Sequence, residues 1–227
     1  MIRIMMIMLM LVSGSSVLAN EIYIDQIGDN LDLDITQDGQ NNTVGSSTTS
    51  SSVIGATTNL AITQVGDSNV MTFDVNGATY TGTFSVTGNT NNIDFNCDSG
   101  GSNSSCGTAT ASIVWVGSSN DIDIDIGETS SATSATVGIT GSSGSDSNTI
   151  LGTIDGNSAI LTLSVNGDTN NFLVDIDGNG DSVGHTYIHT HTGSIADVDI
   201  TQSGIYDNMI TLTTSGDNAD IDIIQRD

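Results

Sequence analysis

Glycine returns along this chain at a short, nearly constant step, as Gly28, Gly39, Gly66, Gly77, Gly88, Gly117, Gly156, Gly167, Gly178, Gly204 and Gly216. Steps of 11 or 12 residues prevail wherever no insert intervenes. A fixed short period of this kind describes one supersecondary unit stacked many times, a solenoid. The residues before each glycine repeat too. Leu31-Asp32-Leu33-Asp34-Ile35-Thr36-Gln37 is echoed by Leu60-Ala61-Ile62-Thr63-Gln64 and by Val198-Asp199-Ile200-Thr201-Gln202.

Inside each unit the hydrophobic period is two, so the unit is a strand with one buried and one wet face. Ile24, Leu33, Ile35, Ile62, Phe73, Leu163, Val174, Ile200 and Leu212 fall in the inward phase, while Asp32, Asp34, Thr72, Asp74, Thr162 and Thr211 fall in the outward one. The glycine opens a turn, usually followed by Asp or Asn, as in Gly66-Asp67-Ser68-Asn69 and Gly167-Asp168-Thr169-Asn170. These residues accept positive φ or bond their own backbone, and so reverse the chain. Two such steps make a coil of strand, turn, strand, turn. The sequence predicts an all-β solenoid of about 22 residues per coil, with about fifteen strands in a rod roughly 35 Å long.

Gln26, Gln37, Gln64, Gln202 and Gln225 all sit in phase with the inward Ile and Leu. A buried amide costs a few kcal/mol unless it is hydrogen-bonded, and a neighbouring coil can supply the bond, as in amide ladders of cross-β assemblies. The five are therefore read as an inward ladder. With this spacing the chain resembles the curlin family, whose repeats place inward Gln, Asn and Gln around a glycine turn. Gln37-x4-Asn42 and Gln64-x4-Asn69 match that pattern, and the likeness is good over residues 22–42, 60–76 and 198–225. Between them the Gln position holds Val75, Val86, Trp115, Ile154, Val165 or Ile176. The resemblance implies a solenoid subunit that polymerises into extracellular amyloid-type fibres serving biofilm matrix and attachment. It also implies partners in a nucleator or an export apparatus.

The N-terminal stretch carries Arg3, an apolar run from Ile4 to Val12, and small residues up to Ala19. That order predicts a secretory leader over residues 1–19, with residues 20–227 forming a single secreted solenoid. No later run approaches the length needed to span a bilayer, so membrane insertion is not expected. The chain carries 27 acidic residues against two cations, a net charge of −25. Such a surface repels phosphate backbones and excludes nucleic acid as a partner. Ser/Thr/Gly-rich stretches at 43–58, 97–111 and 128–149 read as loops inserted into the period, with an extra strand at Val137 to Thr140 as an option. Cys97 and Cys106 are expected to form a disulfide that pins the second loop and lies outside the core.

Few residues invite chemistry. His185, His189 and His191 share strand parity, and the competing readings are a metal site and a polar outer stripe. Asp175, Asp177, Asn179 and Asp181 form an oxygen-rich run suited to calcium, without the glutamate that closes an EF-hand-type loop. Asp121, Asp123 and Asp125 read as an outer acidic stripe that offers weak, plural divalent binding. Their spacing follows from the strand period alone, so no catalytic pair is inferred and no cofactor beyond weak calcium is expected. The sequence points to a self-associating structural filament subunit and not to an enzyme. The alternative is a monomeric acidic binding module, such as a calcium-dependent adhesin or a virion-associated host-contact protein.

Overall fold

The computed structural model describes residues 19–39, 41–45, 50–66, 68–88, 90–97, 106–117, 119–127, 134–142, 147–156, 158–167, 169–177, 185–204, 209–216 and 218–226. These are strand and turn throughout, as the two-residue period requires. In chain order the strands are β1 (Ala19–Ile22), β2 (Asp25–Ile27), β3 (Leu31–Asp38), β4 (Asn41–Val44), β5 (Ser51–Ile54), β6 (Thr57–Val65), β7 (Ser68–Thr87), β8 (Thr90–Cys97) and β9 (Cys106–Val116). They continue as β10 (Ser119–Ile126), β11 (Ser134–Ser142), β12 (Ser147–Asp155), β13 (Ala159–Asn166), β14 (Thr169–Asp177), β15 (Thr186–Thr192), β16 (Ile195–Ser203), β17 (Met209–Ser215) and β18 (Asn218–Arg226).

The strands stack into two parallel sheets that enclose one core. Sheet A takes β1 with β2, β4 with β5, the first half of β7, and then β8, β10, β12, β14, β16 and β18. Sheet B takes β3, β6, the second half of β7, β9, β11, β13, β15 and β17. Parallel neighbours need a crossover, and here each strand of one sheet is the crossover for the other. The solenoid expected from the glycine period is therefore present. Its step is longer than 22 residues in most coils. Paired amides lie 22 residues apart at Asn148 and Asn170, 27 at Gln37 and Gln64, and 29 at Asn91 and Asn120. The strand register holds whatever the residue count between strands.

Two of the stretches read as loops carry solenoid strands of their own. β5 lies within 43–58, and β11 lies within 128–149 and spans more than the optional Val137 to Thr140. Ser and Thr face outward there without cost, and small inward residues such as Ser51, Ala135 and Val137 still fill the core. Residues 46–49, 98–105, 128–133 and 143–146 of these stretches lie outside the described residues.

The core alternates bulk with space. Tyr80 and Phe95 stack with centroids 4.9 Å apart, and Phe84 lies 5.8 Å from Phe95. Trp115 is fully buried and pairs in register with Gly141, where a Cβ would overlap the indole. Each fully buried large apolar side chain stabilises the fold by about 1.5–3 kcal/mol.

The corner glycines serve close stacking more than positive φ. Among the described residues only Gly28, Gly45, Gly127 and Gly204 have positive-φ glycine backbones, with Asn30 as the non-glycine case. At Gly66 a Cβ would collide with the carbonyl oxygen of Gly39 one coil away, and at Gly117 with that of Gly88. Backbone fills that space, together with the buried amides of Asn42 and Asn91. Gly66→Ala should therefore cost about 1–3 kcal/mol by overpacking, read as a lower urea midpoint at unchanged m-value; an unaltered midpoint would contradict the close-stacking account. Gly77 makes no turn break at all, since β7 bends through it as one continuous strand. Gly178 lies outside the described residues.

The cystine also departs from expectation. Cys97 and Cys106 are bonded, with Cα atoms 5.6 Å apart. Both are buried, so the bridge ends β8, opens β9 and belongs to the core wall. The strand parity that turns Val75 inward also turns Cys97 inward, because the two pair in register. Closing a loop this short should contribute about 2–3 kcal/mol. Reduction should lower the denaturation midpoint by a matching amount. Mass spectrometry after thiol alkylation of the unfolded, unreduced chain should find neither cysteine modified.

Candidate functional site

The interior polar groups are the candidate site, because a buried column of amides and imidazoles is what distinguishes this core from a plain aliphatic one. The five glutamines do not make a single ladder. Gln37 and Gln64 are buried in sheet B, where Gln64 Nε2 donates to Gln37 Oε1 at 2.7 Å and Gln37 Nε2 donates to the Thr43 carbonyl at 2.9 Å. Gln202 and Gln225 stack in sheet A at the other end, with Gln225 Nε2 donating to Gln202 Oε1 at 3.2 Å. Gln26 is half-buried in sheet A and pairs with Val53. The 11-residue step explains the split. It moves a residue to the opposite sheet, so Gln26 and Gln37 share phase without sharing a column.

The continuous ladder is built of asparagine. Asn20, Asn42, Asn69, Asn91, Asn120, Asn148 and Asn170 pair in register down sheet A. With its amide nitrogen turned toward acceptors, Asn69 donates to Asn91 Oδ1 at 2.9 Å. Asn91 donates to Asn120 Oδ1 at 2.5 Å, Asn120 to Asn148 at 2.7 Å, and Asn148 to Asn170 at 2.5 Å. Each also ties to its corner where the glycine carbonyl is in reach: Asn91 to Gly88, Asn120 to Gly117 and Asn170 to Gly167. All donors point toward the C-terminal end. Asn170 Nδ2 then lies 2.6 Å from His191 Nε2, which also faces the Gly167 carbonyl at 3.2 Å. Beyond it the column holds Ala196 and Ala219. The spacing Gly-x-x-Asn at 39/42, 66/69, 88/91, 117/120 and 167/170 carried this signal in the sequence.

The histidines face inward, so the outer-stripe reading is wrong. His185, His189 and His191 are all buried on sheet B with Tyr187. His189 Nδ1 meets Tyr187 Oη at 2.7 Å and its ring packs edge-on to Phe172, centroids 4.7 Å apart. The uncharged ring fits an aromatic pocket where an imidazolium would not. Burial, and then the charge of His191, pull its pKa down to about 4. A base whose folded pKa is depressed takes its proton first in the unfolded chain, so its penalty is absent above about pH 6.5 and grows as pH falls toward 4. We expect about 3 kcal/mol of stability to be lost across that window. His189→Phe should flatten this part of the stability profile, and a slope that survives the substitution would place the titration elsewhere.

No family model, curated protein or solved structure matches the chain. The site must therefore be read from its own geometry.

Asp121, Asp123 and Asp125 stand on the outer face of sheet A, as the strand period requires. One column alternates carboxylates with neutral residues, Asp74, Asn96, Asp125, Thr153, Asp175 and Thr201, which separates the charges by two layers. Asp94 and Asp123 do pair directly. Desolvation first, then Asp74 and Asp125, push the Asp94 pKa up. Burial, then Asp177, raise that of Asp175, against the pull of Arg226. Asp177 accepts a bond from Ser203 Oγ at 2.7 Å. Asn179 and Asp181 lie outside the described residues. Among the described residues no three His, Cys, Asp or Glu converge as a metal group, and no helix is long and apolar enough to cross a membrane.

The two ends of the rod complete the site. β1, β2 and β3 at one end and β17 and β18 at the other each pair on one side only among the described residues. Their inward residues Ile22, Ile24, Leu31, Leu33, Ile210, Leu212 and Ile221 are only partly buried, and Ile223 is 43% exposed. Gln202 Nε2, fully buried beneath Gln225, finds no partner among the described residues.

Proposed function

We propose that this chain is a secreted structural subunit that stacks end to end into an amyloid-like adhesive or matrix filament and performs no catalysis. The observation that carries the reading is the pair of open ends. Among the described residues each presents strand edges paired on one side only, partly exposed inward leucines and isoleucines, and stacked glutamines. An edge strand with these properties is a template for another chain, and a second copy offers the same spacing and the matching polarity pattern. The glutamine column of sheet A supports the same reading, because Gln26 at one end and Gln225 at the other lie in one register column and would meet at a junction as amides do between coils. The buried cystine suits an oxidising compartment.

The test is electron microscopy and fibre diffraction of the purified chain, residues 20–227, incubated without additives. Unbranched fibres with a reflection near 4.8 Å are expected. Monomer that persists at high concentration, with its β-rich spectrum intact, overturns the filament in favour of the monomeric binding module.

A further inference from the structure

The acidic residues are not spread evenly around the rod. Sheet B, from β6 through the second half of β7 to β9, β11, β13, β15 and β17, contains no Asp, Glu, Lys or Arg. In a chain of net charge −25, that leaves one face without repulsion. Its outward side chains are chiefly threonine and serine, with Thr83, Thr110, Thr136, Thr140 and Thr190 all exposed. Between them stand Val65, Val114, Val116, Ile160 and Met209, each 38 to 48% exposed. Only β3, at the N-terminal edge of the sheet, adds charge, through Asp32, Asp34 and Asp38.

We propose that sheet B is a pairing face for a second copy of this chain, packed face to face with the two solenoid axes antiparallel. Charge selects the face: two strongly anionic rods can approach closely only where both are neutral. Charge also selects the orientation. Antiparallel packing sets β3 of each copy against the neutral β17 of the other, whereas parallel packing sets Asp32, Asp34 and Asp38 against themselves. The area is sufficient. Seven strands about 4.8 Å apart and some eight residues wide present roughly 900 Å², against about 800 Å² per partner in a standard interface. Thr, Val and Ile at equal spacing on both faces can interdigitate as stacked sheets do. An uncharged surface of another kind could meet the same face, but a second copy matches its repeat without adjustment.

This pairing is lateral and does not depend on the filament. It is tested in a Gln26→Lys/Gln225→Lys background, where end-to-end growth is expected to be blocked, by sedimentation equilibrium of the full mature chain. A dimer is expected at micromolar concentration. Thr83→Asp/Thr140→Asp should weaken it at least about a hundredfold, since each places an unpaired carboxylate in the interface. The same charge added on sheet A, Thr72→Asp/Thr153→Asp, should not, and circular dichroism confirms that each variant is folded. Orientation is read by oxidation. Thr63→Cys mixed with Thr190→Cys should crosslink, and Thr63→Cys alone should not. A monomer at all concentrations, equal dimerisation by the sheet B variant, or self-crosslinking of Thr63→Cys overturns the proposal. So does a monomer that sediments with an uncharged polysaccharide through the same face.

Discussion

Asn120→Ala is expected to lower the free energy of unfolding by about 3–5 kcal/mol, far more than its size suggests. Asn120 receives the Asn91 amide, donates to Asn148 and ties down the Gly117 carbonyl. Its removal strips a donor from two buried oxygens and leaves a cavity. Each buried polar group left unsatisfied costs about 1–3 kcal/mol, and the neighbouring amides of a polarised chain also lose mutual support. The comparison is Asn59→Ala. Asn59 donates to Asp32 on the exposed face of sheet B at 2.9 Å, and its loss should stay within about 0.5 kcal/mol. Urea midpoints of the two variants decide the matter. If they shift alike, the asparagine column is not what holds the coils in register.

The second large effect concerns growth and not folding. Gln26 lies in the first layer and Gln225 in the last, both in the inward phase. Lysine at both positions puts an ammonium where the next subunit would have to bury it, a cost of several kcal/mol without a partner. Gln26→Lys/Gln225→Lys should yield soluble, β-rich protein whose thioflavin signal fails to rise and whose seeds do not extend the parent chain. Lysine at Asp32 and Asp123, on the outer faces, should leave elongation intact or speed it by relieving acidic repulsion. The reverse outcome, outer changes that block growth and end changes that do not, would replace end-to-end stacking with lateral association.

The solenoid was legible because its signal is a period. Residues such as Phe73, Leu163 and Val174 repeat their burial every second position, and no tertiary override intervenes when every strand has the same two neighbours. Length per coil was not legible, since the residue count between strands, as between Cys97 and Cys106, varies without altering the pairs on either side. Phase puts the glutamines on the inward side of their strands, where Gln37, Gln64 and Gln202 are buried while Gln26 is half-buried and Gln225 exposed, but phase in the 11-residue step does not say which sheet a residue joins. The histidines were misplaced for a related reason. His189 and His191 are polar by type, yet strand parity with Tyr187 outweighs type once Phe172 and Asn170 supply partners. The asparagine column was half visible. Asn42 and Asn69 stood out beside Gln37 and Gln64, while Asn91, Asn120 and Asn148 follow Val, Trp or Gly at the glutamine position and lacked that cue.

The fixed register and the variable residue count between strands make this rod a ruler. Residues added at a corner leave its length unchanged, whereas duplicating a coil lengthens it by one strand spacing, about 4.8 Å. Reach is thus set by the number of coils, and the corners are free to vary in size and chemistry without disturbing that measure. A protein that must hold something at a set distance can tune reach and display as independent quantities.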